Sequence, residues 1–205
     1  MNIAPVVISN EYSNFNEVLH VTGGIKIIYG RKSSFSESEL SAFYKYRQKV
    51  FIGRLGWPLK TNGVTEIDEF DLPDTIYVIA FNDNGDICGH ARLNPTTGPC
   101  LMDIFPTLFN GSPPPSTPLV WEISRLSTHN SDQSSPVKGG ISYTNEMMMK
   151  TCFEIIAKHG ASRLVAVTSP MVERLYSKSN YPLRRAGPPE LIDGSPVIAC
   201  WIESK

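Results

Sequence analysis

The stretch from Thr75 to Leu93 constrains this chain most. Two strand-like runs, Thr75–Phe81 and Ile87–Leu93, flank Asn82-Asp83-Asn84-Gly85-Asp86. Turn residues between two apolar runs signal an antiparallel hairpin. Regular alternation puts Cys88, His90 and Arg92 on one face of the second run, with Ile87, Gly89, Ala91 and Leu93 on the other. A sheet with apolar faces needs further layers packed on it, and the chain supplies helices for them. Ser36-x-x-Glu39 is a capping box that opens a helix to about Phe51. Ser142–His159 reads as a second helix, stopped by Gly160 and burying Met147, Met148, Cys152, Ile155 and Ile156. Ser169-Pro170 opens a third, running to about Ser179. Ile25–Tyr29, Leu119–Leu126, Arg163–Thr168 and Val197–Ile202 are the other strand candidates. This order predicts an α/β fold: a mixed sheet with helices on both faces.

At 205 residues the chain has room for one domain and a short appendage. Residues 1–24 are polar and weakly patterned and read as an N-terminal extension; residues 25–205 read as the single domain. The net charge of −1 argues against a broadly basic nucleic-acid binder. Apolar runs are only a few residues long and the N-terminus has no signal-like core, so neither membrane insertion nor secretion is expected. The 4 cysteines form no C-x-x-C pair and the 4 histidines no ligand spacing. The expectation is a cytoplasmic protein with reduced thiols and no metal.

Charged residues fall where apolar ones belong. Arg47 lies on the helix stripe of Leu40, Phe43, Tyr44, Val50 and Phe51. A guanidinium on a core face either snorkels to the rim or borders a polar pocket that supplies partners. Residues 52–74 read as a loop holding Trp57, Glu66, Asp68, Glu69 and Asp71. Such an acidic run usually means a solvated loop. Glu122 and Arg125 sit on a strand candidate at a spacing of three, which a regular strand sends to opposite faces. A bulge or strand end near Ser124 brings them to one side.

Taken in order, Arg47, Phe51, Trp57, Asp68, Asp71, Arg92, Glu122 and Arg125 resemble the signature of the LuxI-type autoinducer synthases. The phrases Tyr-Arg-Gln-Lys-Val-Phe, Leu-Gly-Trp, Asp-Glu-Phe-Asp and Trp-Glu-Ile-Ser-Arg are similar to that family as well, over roughly residues 25–200. The resemblance implies a three-layer α-β-α sandwich with a mixed, mostly antiparallel sheet, similar to the Gcn5-type N-acetyltransferase fold, split by a V-shaped cleft. It implies a bacterial quorum-sensing acyltransferase. S-adenosylmethionine (SAM) serves as substrate, with no further cofactor. An acyl chain arrives as a thioester on acyl carrier protein, or on coenzyme A as in some relatives. The products are an N-acyl-homoserine lactone and methylthioadenosine.

The residue types suit that chemistry. Phe51 and Trp57 offer aromatic faces to adenine or to the sulfonium cation. Arg47 and Arg92 can clamp the SAM carboxylate, and Asp68 or Asp71 can hold its ammonium. Which of them touch ligand and which only order the network stays open. Acyl transfer needs a deprotonated amine, and Glu122 is the expected base, with Ser124 and Arg125 beside it. The strand Leu164–Thr168 is expected to line the acyl chain through Val165, Val167 and Thr168, with Met147 from the helix. A Thr often occupies the position aligned with Val165 in relatives that prefer 3-oxo chains, so Val165 suggests chains without that group. Carrier protein is acidic, and residues 138–185 hold eight basic side chains against three acidic ones. Lys150, Lys158, Arg174 and Lys178 are the docking candidates. Three rivals remain: a general N-acetyltransferase, a silent binding module and a structural domain. The first usually carries a Gln/Arg-x-x-Gly-x-Gly/Ala pyrophosphate loop, which Pro136-Val-Lys-Gly-Gly does not supply.

Overall fold

The computed structural model describes residues 24–129 and 141–203, and the backbone of 17–22. The remainder of the expected extension and the polar loop over 130–140, Lys138 included, lie outside the described residues. Among the described residues nine strands form the sheet: β1 (Glu17–Thr22), β2 (Ile25–Arg31), β3 (Ile76–Phe81), β4 (Ile87–Pro95), β5 (Val120–Thr128), β6 (Arg163–Thr168), β7 (Leu183–Arg185), β8 (Glu190–Ile192) and β9 (Ser195–Ile202). They run β1-β2-β3-β4-β5-β6-β9-β7, with β8 hairpinned onto β9. Every pairing is antiparallel except β5 with β6. Strand β1 lies inside the segment whose sequence suggests an extension, and β7 and β8 lie where the pattern shows no strand.

Helix α1 (Glu37–Arg47) covers one face. Its capping box is present: Ser36 Oγ accepts from Glu39 N–H at 3.3 Å, and the Glu39 carboxylate accepts from Ser36 N–H at 2.8 Å. Phe43 and Tyr44 pack there on Ile28, Tyr77 and Ile79. The α-helix stops at Arg47, and a π-helical turn over Gln48–Arg54 replaces its expected last turn. That turn buries Val50 and Phe51. Helix α2 (Tyr143–Lys158) covers the opposite face, where Met148, Met149, Cys152, Ile155 and Ile156 meet Val78, Ala91, Leu93 and Ile123. Helix α3 is Pro170–Tyr176, capped by Ser169. The layers are therefore helix, sheet, helix.

Two bulges decide what the faces carry. Phe81 pairs with Ile87 and Ala80 with Gly89, leaving Cys88 as the extra residue. Alternation is lost there, so Cys88 joins the α2-side core while His90 and Arg92 keep to the α1 side. The second bulge lies between His90–Ser127 and Arg92–Ser124, and Arg125 within it has φ +52°. This is the break that the spacing of Glu122 and Arg125 requires. Strands β5 and β6 pair only over Val120–Glu122 and Arg163–Val165. Beyond Glu122 they diverge, and the V between them opens a cleft.

Candidate active site

Three arginines and three carboxylates meet on the α1 face. Arg47 Nε donates to Glu66 at 2.6 Å and its Nη1 to Asp71 at 2.6 Å. Arg92 Nη1 donates to Asp68 and lies 3.2 Å from Asp71. Arg125 Nη2 donates to Glu66 at 3.0 Å and to Asp68 at 2.7 Å. Arg47 and Arg92 have no exposed surface, and Glu66 is 1% exposed. The acidic run is therefore not a solvated loop, because its carboxylates turn inward to neutralise buried cations. Glu66 is the member that reading the sequence assigns no role. Its neighbours look like loop, and only the excess of core-facing arginines hints that another anion is needed.

Local bonding fixes this loop. Glu66 N–H donates to the Tyr44 carbonyl at 3.2 Å. Asp71 Oδ2 accepts from Asp68 N–H at 2.9 Å and Asp68 Oδ1 from Phe70 N–H at 2.9 Å, closing a tight turn. Tyr77 Oη donates to Asp71 at 2.8 Å. Burial would raise the Asp71 carboxyl, but Arg47 and Arg92 outweigh it and hold the group well below the usual carboxylate range. Glu66 is likewise lowered by Arg125 and Arg47 against its burial.

Phe51 and Trp57 stand beside the network with ring centroids 5.0 Å apart. The Arg125 guanidinium lies 5.6 Å from the Phe51 ring. Phe51 is buried, whereas Trp57 is 43% exposed. Ser124 Oγ accepts from Arg92 Nε at 2.9 Å. His90, on the same face, has Nδ1 3.2 Å from the Arg125 carbonyl, so Nδ1 carries the proton. Complete burial pulls the His90 pKa down to about 3 and leaves the ring neutral.

Glu122 is the last residue of β5 paired to β6, opposite Val165 at the vertex of the V. Its Oε2 accepts from Leu101 N–H at 2.6 Å. Its Oε1 is buried and has no hydrogen-bond partner among the described residues. Burial pushes the carboxyl pKa up, against the Arg92 cation and the Leu101 amide. A carboxyl so placed sits closer to its neutral form and can exchange a proton.

The cleft below the vertex has a volume of about 270 Å³. Phe51, Trp57, Ser124 and Arg125 line one end, and Ile123, Met149, Ala166, Val167, Thr168 and Tyr176 line much of the rest. Val167 and Thr168 thus face it. Val165 does not; it packs with Met102, Leu108 and Phe109 on the other side of β6. Met147 is part of the α2-side core, and Met149 takes the place expected of it. Lys150 and Lys158 stand about 12 Å apart along α2, and Lys158 Nζ reaches Tyr29 Oη at 2.9 Å, away from the cleft. Arg174 and Lys178 are exposed on α3 and just beyond it. Among the described residues no cluster of His, Cys, Asp or Glu can hold a metal ion, and no helix is long and apolar enough to cross a membrane.

Residues 31–205 match the autoinducer synthase family. The chain belongs to that family. It is 42% identical over 166 residues to an acyl-homoserine-lactone synthase of Ralstonia solanacearum, covering 80% of this chain and 81% of the relative. A solved structure of TofI in a ternary complex with an inhibitor and MTA superposes with a TM-score of 0.71 at 33% identity, over 86% of this chain and 90% of that one. A putative N-acetyltransferase from Lactobacillus plantarum shares the fold, with a TM-score of 0.61 at 18% identity over 89% and 99% of the two chains. This autoinducer synthase is thus an acyltransferase on an N-acetyltransferase-like scaffold.

Proposed function

We propose that this synthase acylates the amine of SAM from a thioester and then closes the homoserine lactone, releasing methylthioadenosine. The observation that carries the reading is Glu122, buried where β5 and β6 part and next in sequence to the cleft-lining Ile123, Ser124 and Arg125, with one carboxylate oxygen unpartnered among the described residues. The amine lone pair attacks the thioester carbonyl carbon while Glu122 takes the ammonium proton, directly or through water. The C–S bond then breaks and the thiolate leaves with a proton. In the second step the SAM carboxylate oxygen attacks the carbon next to the sulfonium. The C–S⁺ bond breaks, and the carboxylate and sulfonium charges cancel as neutral thioether departs. Proximity is what the site supplies to that step.

The cleft-lining Phe51, Trp57, Ser124 and Arg125 are the groups that meet SAM in this reading. Arg47, Arg92 and Asp71 are buried beneath them and act by holding Asp68 and Arg125 in place. The acyl chain follows the wall formed by Ile123, Met149, Ala166, Val167 and Thr168. The favoured donor is acyl carrier protein, received by the exposed cations Lys150, Arg174 and Lys178. The Arg54 guanidinium in a hollow next to the cleft favours any anionic donor, so coenzyme A is the alternative.

The test mixes purified protein with SAM and either octanoyl carrier protein or octanoyl-coenzyme A and follows methylthioadenosine. Release with the carrier protein at the lower donor concentration is expected. Glu122→Gln should lower turnover about a hundredfold or more while SAM binding by calorimetry changes little. No methylthioadenosine from either donor would overturn the reading.

A further inference from the structure

The main-chain donor that holds Glu122 comes from outside its own ladder. Leu101 opens a 3₁₀ turn over Leu101–Ile104, and its N–H reaches Glu122 Oε2 at 2.6 Å. Asp103 locks that turn twice. Its N–H donates to the Cys100 carbonyl at 3.1 Å, and its Oδ2 accepts from Cys100 N–H at 2.8 Å. A trans peptide unit points its C=O and N–H in opposite directions within one plane. Holding the Cys100 carbonyl toward Asp103 therefore aims the Leu101 N–H the other way, at Glu122. The turn is anchored as well: Met102 packs with Leu108, Phe109 and Val165, and Cys100 Sγ lies 3.2 Å from the Gly98 carbonyl. The donor is a fixture, not a passing contact.

We propose that the Leu101 amide, aimed by Asp103, is a positioning group that ties down Oε2 of Glu122 and commits Oε1 to receive the substrate's proton. The assignment rests on Glu122 being the base. It gives the turn after β4 a task in the reaction, although Asp103 itself is exposed and does not line the cleft.

Leu101→Pro is the direct test, because it deletes the donor and little else. Proline suits the first position of a helical turn, and Cys100, at φ −132° and ψ 154°, already has the extended backbone that a residue before proline prefers. Expected is a fall in kcat of about tenfold or more, the rate equivalent of one hydrogen bond to a charged group. KM for SAM should hold, and the acid limb of the pH–rate profile should move to higher pH. Leu101→Ala keeps the N–H, so its acid limb should stay at the wild-type position while that of Leu101→Pro moves. Asp103→Ala should cost about fivefold, comparable to a lost cap, and Asp103→Asn should restore most of it. A readout free of turnover is the Leu101 amide resonance in the full chain: it should titrate with Glu122 in wild type and stay flat in Glu122→Gln. A folded Leu101→Pro with unchanged kcat and acid limb would overturn the proposal, as would a Leu101 resonance indifferent to Glu122. A wild-type protein that releases no methylthioadenosine would instead sink the reaction, and the role of Oε1 with it, while the resonance still decides whether the bond exists.

Discussion

Arg47 is a cation with no water around it, and it tolerates this because two carboxylates each lie 2.6 Å away. Removing it leaves Glu66 and Asp71 buried and under-compensated. Arg47→Ala should destabilise the fold by about 3–5 kcal/mol, as breaking a buried pair does, and urea unfolding measures it. Arg47→Lys should recover little, since one ammonium cannot reproduce a planar fork that spans two acceptors. The lowered Asp71 and Glu66 carboxyls add a pH signature. Their folded pKa values lie below the unfolded ones, so their stabilisation is present above about pH 4 and is lost as pH falls through the folded values. Arg47 was legible in the sequence because a charge on an apolar helix stripe is an anomaly. Glu66 was not, because a carboxylate in a loop is ordinary until the cations it faces are known. Val165 shows the same limit: its strand was right, but which side of β6 faces the cleft depends on where β5 and β6 part.

At the scale of elements, the bulge in β5 does the most. It turns Arg125 onto the face of Glu122 and Ser124 at the cost of a left-handed residue with a side chain, which is uncommon. His90 steadies it by donating Nδ1–H to the Arg125 carbonyl. Folded His90 stays neutral down to about pH 3, whereas an unfolded histidine takes a proton near 6.5. The unfolded state therefore binds more protons between those values, and stability should decline as pH falls from about 6.5. His90→Gln removes that dependence, so the urea midpoint between pH 7 and pH 5 should flatten in the variant. Equal slopes would show that the ring titrates in the fold. The need for this bulge could be read from a spacing of three on a strand. The bulge at Cys88 could not, because nothing in that run marks one residue as extra. The capping box fixed where α1 begins, while its widening into a π-turn at Gln48 depends on tertiary packing of Phe51.

The whole molecule is a sheet that is continuous at one end of β5 and β6 and split at the other. Helix-facing strands carry strong apolar patterns, so the centre of this sheet was readable from sequence. The three-residue β7 and β8 were not, because short strands carry little periodicity, and β1 lies in a stretch of weak apolar patterning. The split itself explains how a cleft forms without a hole in the core: Ile123 belongs to one strand, Ala166 to the other, and Met149 and Tyr176 close the side. Ala166 is the smallest side chain on that wall, and its replacement by leucine adds three carbons to a space of about 270 Å³. Ala166 lines the cleft but also packs in the α2-side core, so the added atoms meet neighbours on one side and the overpacking penalty should be about 1–3 kcal/mol. Ala166→Leu is accordingly expected to lower its thermal midpoint yet stay folded and bind SAM, while its acyl-homoserine lactones shift to shorter chains, read by mass spectrometry of cells expressing each form. An unchanged chain-length distribution in a folded, active Ala166→Leu would mean that the acyl group takes a path other than the gap between β5 and β6.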